Sequence, residues 1–483
     1  MNMKRVLVIT YYWPPSGGSG VQRWVKFSKY LLPEGWQSVI YTPENPELIA
    51  RDESLAGDVP EGVEVVKRPI TEPYNLYRRL MGRGSSTDMA KLVTPISGGQ
   101  KSFKERVSLW IRGNLFIPDP RVWWVRPSVR FLKKYLKEHP VDVIVTTGPP
   151  QSMHLIGQRL ARATGLPWVS DFRDPWTRMY YLRHLPLTKG TWRKLRSMEQ
   201  SVLDDSTTVL SVTPFVQRDF QGKTSTPVAM ITNGFDEDDF ASIDAAPDGL
   251  FNLTHTGFLA EDGNPRALWK VLGDMAGKDP SMKAALRIRL SGKVDAAVLE
   301  SISGAGLGDN VVTLGYLDHN SAVLEQKSAS VLLLPLRNDP QYAIILPGKL
   351  FEYLAARRPV LGIGQTDGAM AEVLRDTAAG KMCNWDDEEA IRSFLSERWE
   401  EYRSGGASKG DGLGPGGASK GDGLGPGGAS KGGGLGPGGA SKEGGLGPGD
   451  PFHGIPSTSG DISAYTRRAT AHSLAALLDS LIQ

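Results

Sequence analysis

Along most of the chain, short apolar runs rich in β-branched residues alternate with longer stretches whose apolar positions recur every three or four residues. The runs at 5–9, 38–41, 63–66, 141–146, 168–171, 209–212 and 228–231 read as strands. The series resumes at 252–256, 288–290, 311–314, 331–334 and 360–363. Between them, 151–164, 265–276, 321–329 and 348–356 carry the spacing of amphipathic helices. Strands that are apolar throughout and alternate with helices predict buried parallel sheets, hence an α/β fold. The pattern breaks at 236–250, where acidic residues, Pro247 and Gly249 intervene. The expected organisation is therefore two Rossmann-like domains, 1–240 and 250–403, joined by a linker and facing a cleft at the carboxyl ends of their strands.

Two stretches depart from this pattern. Residues 77–137 hold fourteen basic residues against three acidic ones, with Trp110, Phe116, Trp123, Trp124 and Phe131 interleaved. Such a mixture suits an anionic membrane surface, and equally an ordinary solvated helical face with core tryptophans. Residues 405–448 are four tandem 11-residue units of the form GGASKGDGLGP. They carry too little apolar surface to offset the entropy of ordering, so 404–456 is expected to be a disordered insertion. An amphipathic pattern returns at 462–481, which predicts a closing helix within 457–483.

Composition adds limits. At 483 residues the chain is too long for one ordinary core, and 23% charged residues is normal for a globular protein. The one cysteine, Cys383, excludes an internal disulfide framework and reads as a buried structural thiol. The apolar run at 6–12 is too short for a signal-peptide core, and no stretch reaches the roughly 18 apolar residues of a membrane span. The expected location is the cytoplasm, extending to the inner face of the plasma membrane if 77–137 binds lipid.

Candidate chemistry sits where strands meet helices. After the first strand, Pro14-Pro15-Ser16-Gly17-Gly18-Ser19-Gly20 forms a Gly-rich turn before a helix. Gly17, Gly18 and Gly20 allow close backbone approach, and a helix start offers amides to an anion. Thr147-Gly148-Pro149-Pro150-Gln151-Ser152-Met153-His154 leads into another helix, with Ser152 a cap candidate and His154 in the first turn. Asp171, Arg173 and Asp174 cluster at a strand end, which suits either a salt-bridged loop or a phosphate-binding fork. Asn233-Gly234 reads as a tight turn. In the second half, Gly257 ends one strand and Lys293 follows another. The most specific piece is 347–362, LPGKLFEYLAARRPVLG with its leading leucine. Pro347 and Gly348 suit a helix start, leaving the amides of Gly348, Lys349 and Leu350 for phosphate oxygens. Glu352, one turn in, suits the paired hydroxyls of a ribose.

Taken together, PPSGGSGVQR, DFRDPW, ITNGFD, THTGFL and PGKLFEYLAARRPVLG resemble family 4 glycosyltransferases of the GT-B fold, of the bacterial surface-glycan type. The resemblance covers nearly the whole chain. It implies transfer of a sugar from a nucleotide-diphosphate donor to a glycan or lipid-linked acceptor, with retention and without an essential metal or other cofactor. It places Gly17, Gly18 and Gly20 near donor phosphates, Glu352 on the ribose, and Gly348 to Leu350 on the diphosphate. Charge neutralisation falls to Lys349, Lys293, Arg173 and Arg266, with Asp171 beside them and Asp174 and His154 on the acceptor side. No nucleic-acid partner is implied. Two departures stand out. A glutamate common eight residues before the ribose-binding one is Ile344 here, and the basic pair after the glycine of the second domain's first strand is replaced at best by Arg266 and Lys270. A catalytically inactive relative and a two-domain sugar-nucleotide epimerase are the alternatives this leaves open.

Overall fold

The computed structural model describes residues 3–47, 54–72, 103–179, 182–183, 185–245, 248–407, 458 and 460–483. Two parallel sheets organise them. The first contains β1 (Lys4–Ile9), β2 (Trp36–Pro43), β3 (Glu64–Arg68), β4 (Val143–Gly148), β5 (Trp168–Phe172), β6 (Thr208–Ser211) and β7 (Val228–Met230), in the order β3-β2-β1-β4-β5-β6-β7. The second contains β8 (Phe251–Thr256), β9 (Leu286–Ser291), β10 (Val311–Gly315), β11 (Val331–Pro335), β12 (Val360–Ile363) and β13 (Gly380–Cys383), in the order β10-β9-β8-β11-β12-β13.

Twelve of these thirteen strands coincide with the apolar runs of the sequence. The exception is β13, whose GKMC carries no β-branched residue; its pairing with β12 puts it in the sheet, Gly362 opposite Met382 and Ile363 opposite Cys383. Tertiary pairing overrides weak local preference there. A Cβ on Gly380 would lie 2.0 Å from the Val360 carbonyl oxygen, so glycine is what lets the two backbones meet.

Why both faces of the first sheet are apolar is visible in β1. Leu7 and Ile9 enter one core cluster, with Val39, Ile144, Trp168 and the helices Val122–Glu138 and Ser152–Thr164. Val6 and Val8 enter the opposite cluster, with Val21, Trp24 and Phe27 of the helix Ser19–Leu31 and Ala471, Leu474 and Leu478 of the helix Arg467–Ser480. A period of two thus serves two covered faces. The sheet order reverses between β1 and β4, which makes their carboxyl ends the topological switch point.

By contacts, the chain forms two compact units: 1–243 with 334–385 and 459–483, and 244–333 with 386–458. In the first unit the last helix is fastened by Lys4 to Asp479 and by Trp36 Nε1 to the same carboxylate at 2.8 Å. In the second, the helix Glu388–Ala407 packs Trp399 and Tyr402 on Phe251, ring centroids 5.5 Å away in each case. The repeat expected to be disordered lies outside the described residues from 408 onward, as does the 77–102 part of the basic stretch.

Candidate active site

The Gly-rich turn after β1 delivers the chain into the helix Ser19–Leu31. Gly18 sits at its N-cap with φ 108° and ψ 164°, a conformation that L side chains rarely adopt, and no side chain caps the helix. Gly20 has a different reason. A Cβ there would lie 1.6 Å from Nη1 of Arg173, so the bare backbone makes room for that guanidinium.

Asp171, the first charge of the DFRDPW cluster, is wholly buried. Arg23 grips it with Nε at 3.2 Å and Nη2 at 3.1 Å, while Trp24 Nε1 and Thr147 Oγ1 each donate at 2.9 Å. Arg23 also donates to the carbonyls of Ile231 and Thr232. Burial alone raises the carboxyl's pKa; the Arg23 charge and its hydrogen bonds outweigh this, and the group is held below the usual carboxylate range. Every oxygen lone pair faces protein, which makes Asp171 an anchor that sets the end of β5.

Arg173 and Asp174 differ from it. Both are half-buried. Arg173 reaches the Pro149 carbonyl through Nη2, and its backbone amide donates to Gly148 at 3.1 Å, but its Nε has no partner. Burial holds the Asp174 carboxyl above its ordinary value and the Arg173 guanidinium below its own, with each partly countering the other. This is a pair of charges poised at the switch point with hydrogen-bonding capacity in hand.

His154 lies behind them, fully buried and stacked on Phe172 at 4.3 Å between ring centroids. Its Nδ1 pairs with Thr146 Oγ1 at 2.9 Å, and burial pushes its pKa down to about 3, so it stays neutral. Ser152 does not cap its own helix. Asp119 does so from the loop before the helix Val122–Glu138, accepting from the Ser152 amide at 2.8 Å and its hydroxyl at 2.9 Å.

The helix Gly348–Ala356 forms over the range read from the sequence, with Pro347 as an N-cap that offers no side-chain hydrogen bond. The Leu350 amide donates to the Pro347 carbonyl at 3.0 Å, so the first-turn amides without an intrahelical acceptor are those of Gly348 and Lys349. Lys349 Nζ contacts Glu352 at 2.8 Å, and the Glu352 side chain is 18% exposed. Sequence reasoning gave no role to Arg467. It is 5% exposed, its guanidinium feels the charges of Asp236, Asp239 and Glu352, and burial brings its pKa down to about 10. An arginine pair at a helix start carries no sequence signal for such a setting. Ile344 ends the short turn Pro340–Ile344 that precedes this helix.

In the second unit, Gly257 and Lys293 are neighbours. The Gly257 amide donates to Ser291 at 2.8 Å, the Leu259 amide donates to Lys293 at 3.0 Å, and the Lys293 ammonium lies 5.3 Å from the half-exposed Phe258 ring. Gly292 has φ 96° and sits so close to Gly257 that a Cβ would be 2.4 Å from its carbonyl oxygen. Arg266 is placed elsewhere. With Lys270, Asp274, Ser301, Gly304 and Ala305 it borders a cavity of about 410 Å³ along the helices Arg266–Lys278 and Ala296–Gly304. Lys270 itself is paired with Glu388 at 2.6 Å. Among the described residues no group of three His, Cys, Asp or Glu is placed to hold a metal ion, and no helix is long and apolar enough to cross a membrane.

Residues 74–239, which include the loops after β4 and β5 with Asp171, Arg173 and Asp174, match the model of Glycosyltransferase Family 4. The chain carries a family 4 glycosyltransferase domain. Solved structures agree on the fold. A glycosyltransferase from Rickettsia africae is similar at a TM-score of 0.50, with 12% identity over 83% of this chain and 89% of that one. The trehalose-6-phosphate synthase OtsA gives 0.51, with 11% identity over 82% and 91%. An E. coli trehalose-6-phosphate protein bound with UDP-2-fluoro glucose gives 0.50, with 12% identity over 82% and 91%. These likenesses establish GT-B architecture and no more. No curated protein matches the chain. Asp171, Arg173, Asp174 and His154 of the matched segment, and the Gly-rich loop that precedes it in the chain, gather at the ends of β1, β4 and β5.

Proposed function

We propose that this glycosyltransferase moves a sugar from a nucleoside-diphosphate donor to a glycan or lipid-linked acceptor, with retention of configuration and without an essential metal ion. The observation that carries the donor half is the helix Gly348–Ala356. Its start has no side-chain cap, two of its amides are available to phosphate oxygens, and Lys349 and Glu352 stand together on its first turn. On this reading the amides and Lys349 take the diphosphate, and Glu352 takes the ribose hydroxyls.

In the reaction, the acceptor hydroxyl oxygen bonds to the anomeric carbon as the bond from that carbon to the diphosphate oxygen breaks. The hydroxyl proton passes to the departing diphosphate. The barrier is lowered chiefly by preorganised positive charge facing the leaving group. Lys349, Lys293 and Arg173 are assigned that work, with Arg266 a weaker candidate because it borders a separate cavity with Lys270. Asp171 acts indirectly, through the Arg23 clamp that fixes the end of β5. Asp174 is assigned to the acceptor side.

The lipid-linked form of the acceptor is favoured by the exposed residues of the basic stretch. Val107, Trp110, Leu115 and Trp123 are 40–62% exposed, and Arg126, Arg130, Lys133 and Lys134 are exposed on the helix Val122–Glu138. Exposed tryptophan beside clustered cations suits an anionic bilayer surface.

The test is the double variant Lys349→Ala/Glu352→Gln. Turnover of the nucleotide sugar is expected to fall by about 10²-fold or more. The thermal stabilisation that the cognate nucleoside diphosphate gives the wild type should also shrink. Unchanged turnover and unchanged stabilisation would sink the assignment.

A further inference from the structure

The helix Lys189–Asp205 opens with an uneven balance of charge. Residues 189–198 hold four basic side chains and no acidic one. Lys189, Trp192, Arg193 and Arg196 recur at spacings of three and four, which puts them on one helical face. Thr191 and Leu195, on the opposite side, are buried and hold the helix to the domain. The outer face borders a cavity of about 420 Å³ lined by Lys189, Trp192, Arg193 and Arg196, with the three cations exposed. Arg196 lies over the Trp192 ring, 5.8 Å from its centroid. Among the described residues no carboxylate pairs with Lys189, Arg193 or Arg196. The next acidic residue along the helix, Glu199, is buried and taken up by Thr177 and Lys223. The arrangement runs against local electrostatics. Like charges at i and i+4, as in Lys189 and Arg193, repel, and the helix dipole disfavours cations at this end.

The cavity is fixed beside exposed apolar side chains. Thr188 caps the helix, accepting from the Thr191 amide at 3.1 Å. Asn114, near the end of the helix Phe103–Leu115, accepts from the Thr188 amide at 2.9 Å and the Thr191 hydroxyl at 2.6 Å, and donates to the Pro186 carbonyl at 2.9 Å. A Cβ on Gly113 would lie 2.6 Å from the Leu187 side chain, so the two helix ends meet closely. The exposed Trp110 and Leu115 are within one turn of the asparagine that ties them together. Apolar side chains that enter a lipid boundary thus stand next to cations that would meet its phosphates.

The number of cations narrows the occupant. A phosphodiester carries a single charge and commits two of its oxygens to linkages. A phosphomonoester carries about 1.5 to 2 negative charges at pH 7 and offers three terminal oxygens. Two arginine forks and one ammonium match the second. We propose that Lys189, Arg193 and Arg196 bind the phosphomonoester headgroup of a bilayer lipid, with Trp192 as the apolar wall of the pocket. The proposal rests on the bilayer reading above and adds to it a headgroup preference, held on a helix outside the basic stretch 77–137. A pocket of this kind has a signature that a diffuse positive surface lacks. It distinguishes lipids of equal surface charge by the form of their phosphate.

The experiment uses the full chain and two charge-matched variants, Lys189→Gln/Arg193→Gln/Arg196→Gln and Arg126→Gln/Arg130→Gln/Lys133→Gln. Sedimentation is measured with phosphatidylcholine vesicles that contain phosphatidic acid or phosphatidylglycerol, adjusted to the same zeta potential. The wild type is expected to bind the phosphatidic acid vesicles about fivefold or more tightly. The first variant should lose that preference. The second, which removes the same charge elsewhere, should bind both vesicles more weakly and keep the preference. A preference that survives in the first variant, or that both variants lose alike, overturns the proposal. Tighter binding of soluble glycerol 3-phosphate than of phosphatidic acid vesicles would give the pocket to a free phosphate and overturn the lipid assignment. A wild type that sediments with both vesicles equally overturns the pocket and leaves the bilayer reading standing, whereas one that sediments with neither overturns both.

Discussion

At the scale of single residues, the DFRDPW cluster shows what local sequence leaves undivided. Three charges at the end of β5 look alike in sequence, yet Asp171 is sealed by Arg23, Trp24 and Thr147 while Arg173 and Asp174 remain half-buried. Asp171→Asn would leave Arg23 buried without its counter-charge. It is expected to lower stability by about 3–5 kcal/mol, measured by urea unfolding. Gly20→Ala should behave differently. Its new methyl meets only the far end of the Arg173 side chain, which can swing aside. Stability should therefore hold to within about 1 kcal/mol while transfer activity falls, and a large drop in melting temperature would show that the backbone had yielded instead. The pH dependence follows from two groups. His154 has a folded pKa of about 3, below its ordinary value near 6.5, so the unfolded chain binds the extra proton between those limits. Stability should fall as pH drops from about 6.5, by up to about 1.4 kcal/mol per pH unit from this group. His154→Gln should flatten that slope in denaturation series at pH 7, 6, 5 and 4. The carboxyl of Asp171 is depressed, so its contribution is present above about pH 4 and is lost only as pH falls further through its folded value.

At the scale of elements, the ITNGFD motif gained a role that its turn signal did not suggest. The Phe235 amide donates to Tyr465 at 3.0 Å and the Arg467 amide donates back to Phe235 at 2.8 Å, so the loop is a docking strip for the chain's last segment. A Cβ on Gly234 would lie 2.3 Å from the Tyr465 carbonyl oxygen, which is backbone and cannot turn away. Gly234→Ala should cost about 1–3 kcal/mol and expose the segment 460–483 to limited proteolysis. An unchanged digestion pattern would count against this docking. The basic stretch was ambiguous for a related reason. Trp124 stacks on Tyr41 at 4.9 Å and Phe131 on the same ring at 6.1 Å, whereas Trp110 and Trp123 face outward. Aromatic content was plain in the sequence; which rings are core depends on where the sheet lies.

At the scale of the whole molecule, the exposed tryptophans and cations have a direct test. Sedimentation with phosphatidylglycerol vesicles at low salt should carry the protein down, and about 0.5 M salt should release it, because Lys and Arg attraction to a charged surface is screened. Trp110→Ser/Trp123→Ser should weaken the sedimentation. Indifference of the wild type to these vesicles would remove the membrane from the proposed function. The α/β class, the parallel strands and several of the helices were legible in the sequence, because periodicity and apolar run length are local quantities that burial on two faces imposes directly. So was the helix Gly348–Ala356, whose Pro-Gly start and Arg-Arg-Pro end are local signals. Side-chain partnership was not. Arg23 and Asp171 stand 148 residues apart, and Asp119 caps a helix 33 residues away. Among the described residues, the lack of a carboxylate beside Lys189, Arg193 and Arg196 is likewise a matter of what surrounds them in space. The sequence by itself determined which segments are buried and in what form. Only the tertiary structure decided which polar groups neutralise one another and which are left to meet a ligand, because that depends on distances between residues brought together by the sheet.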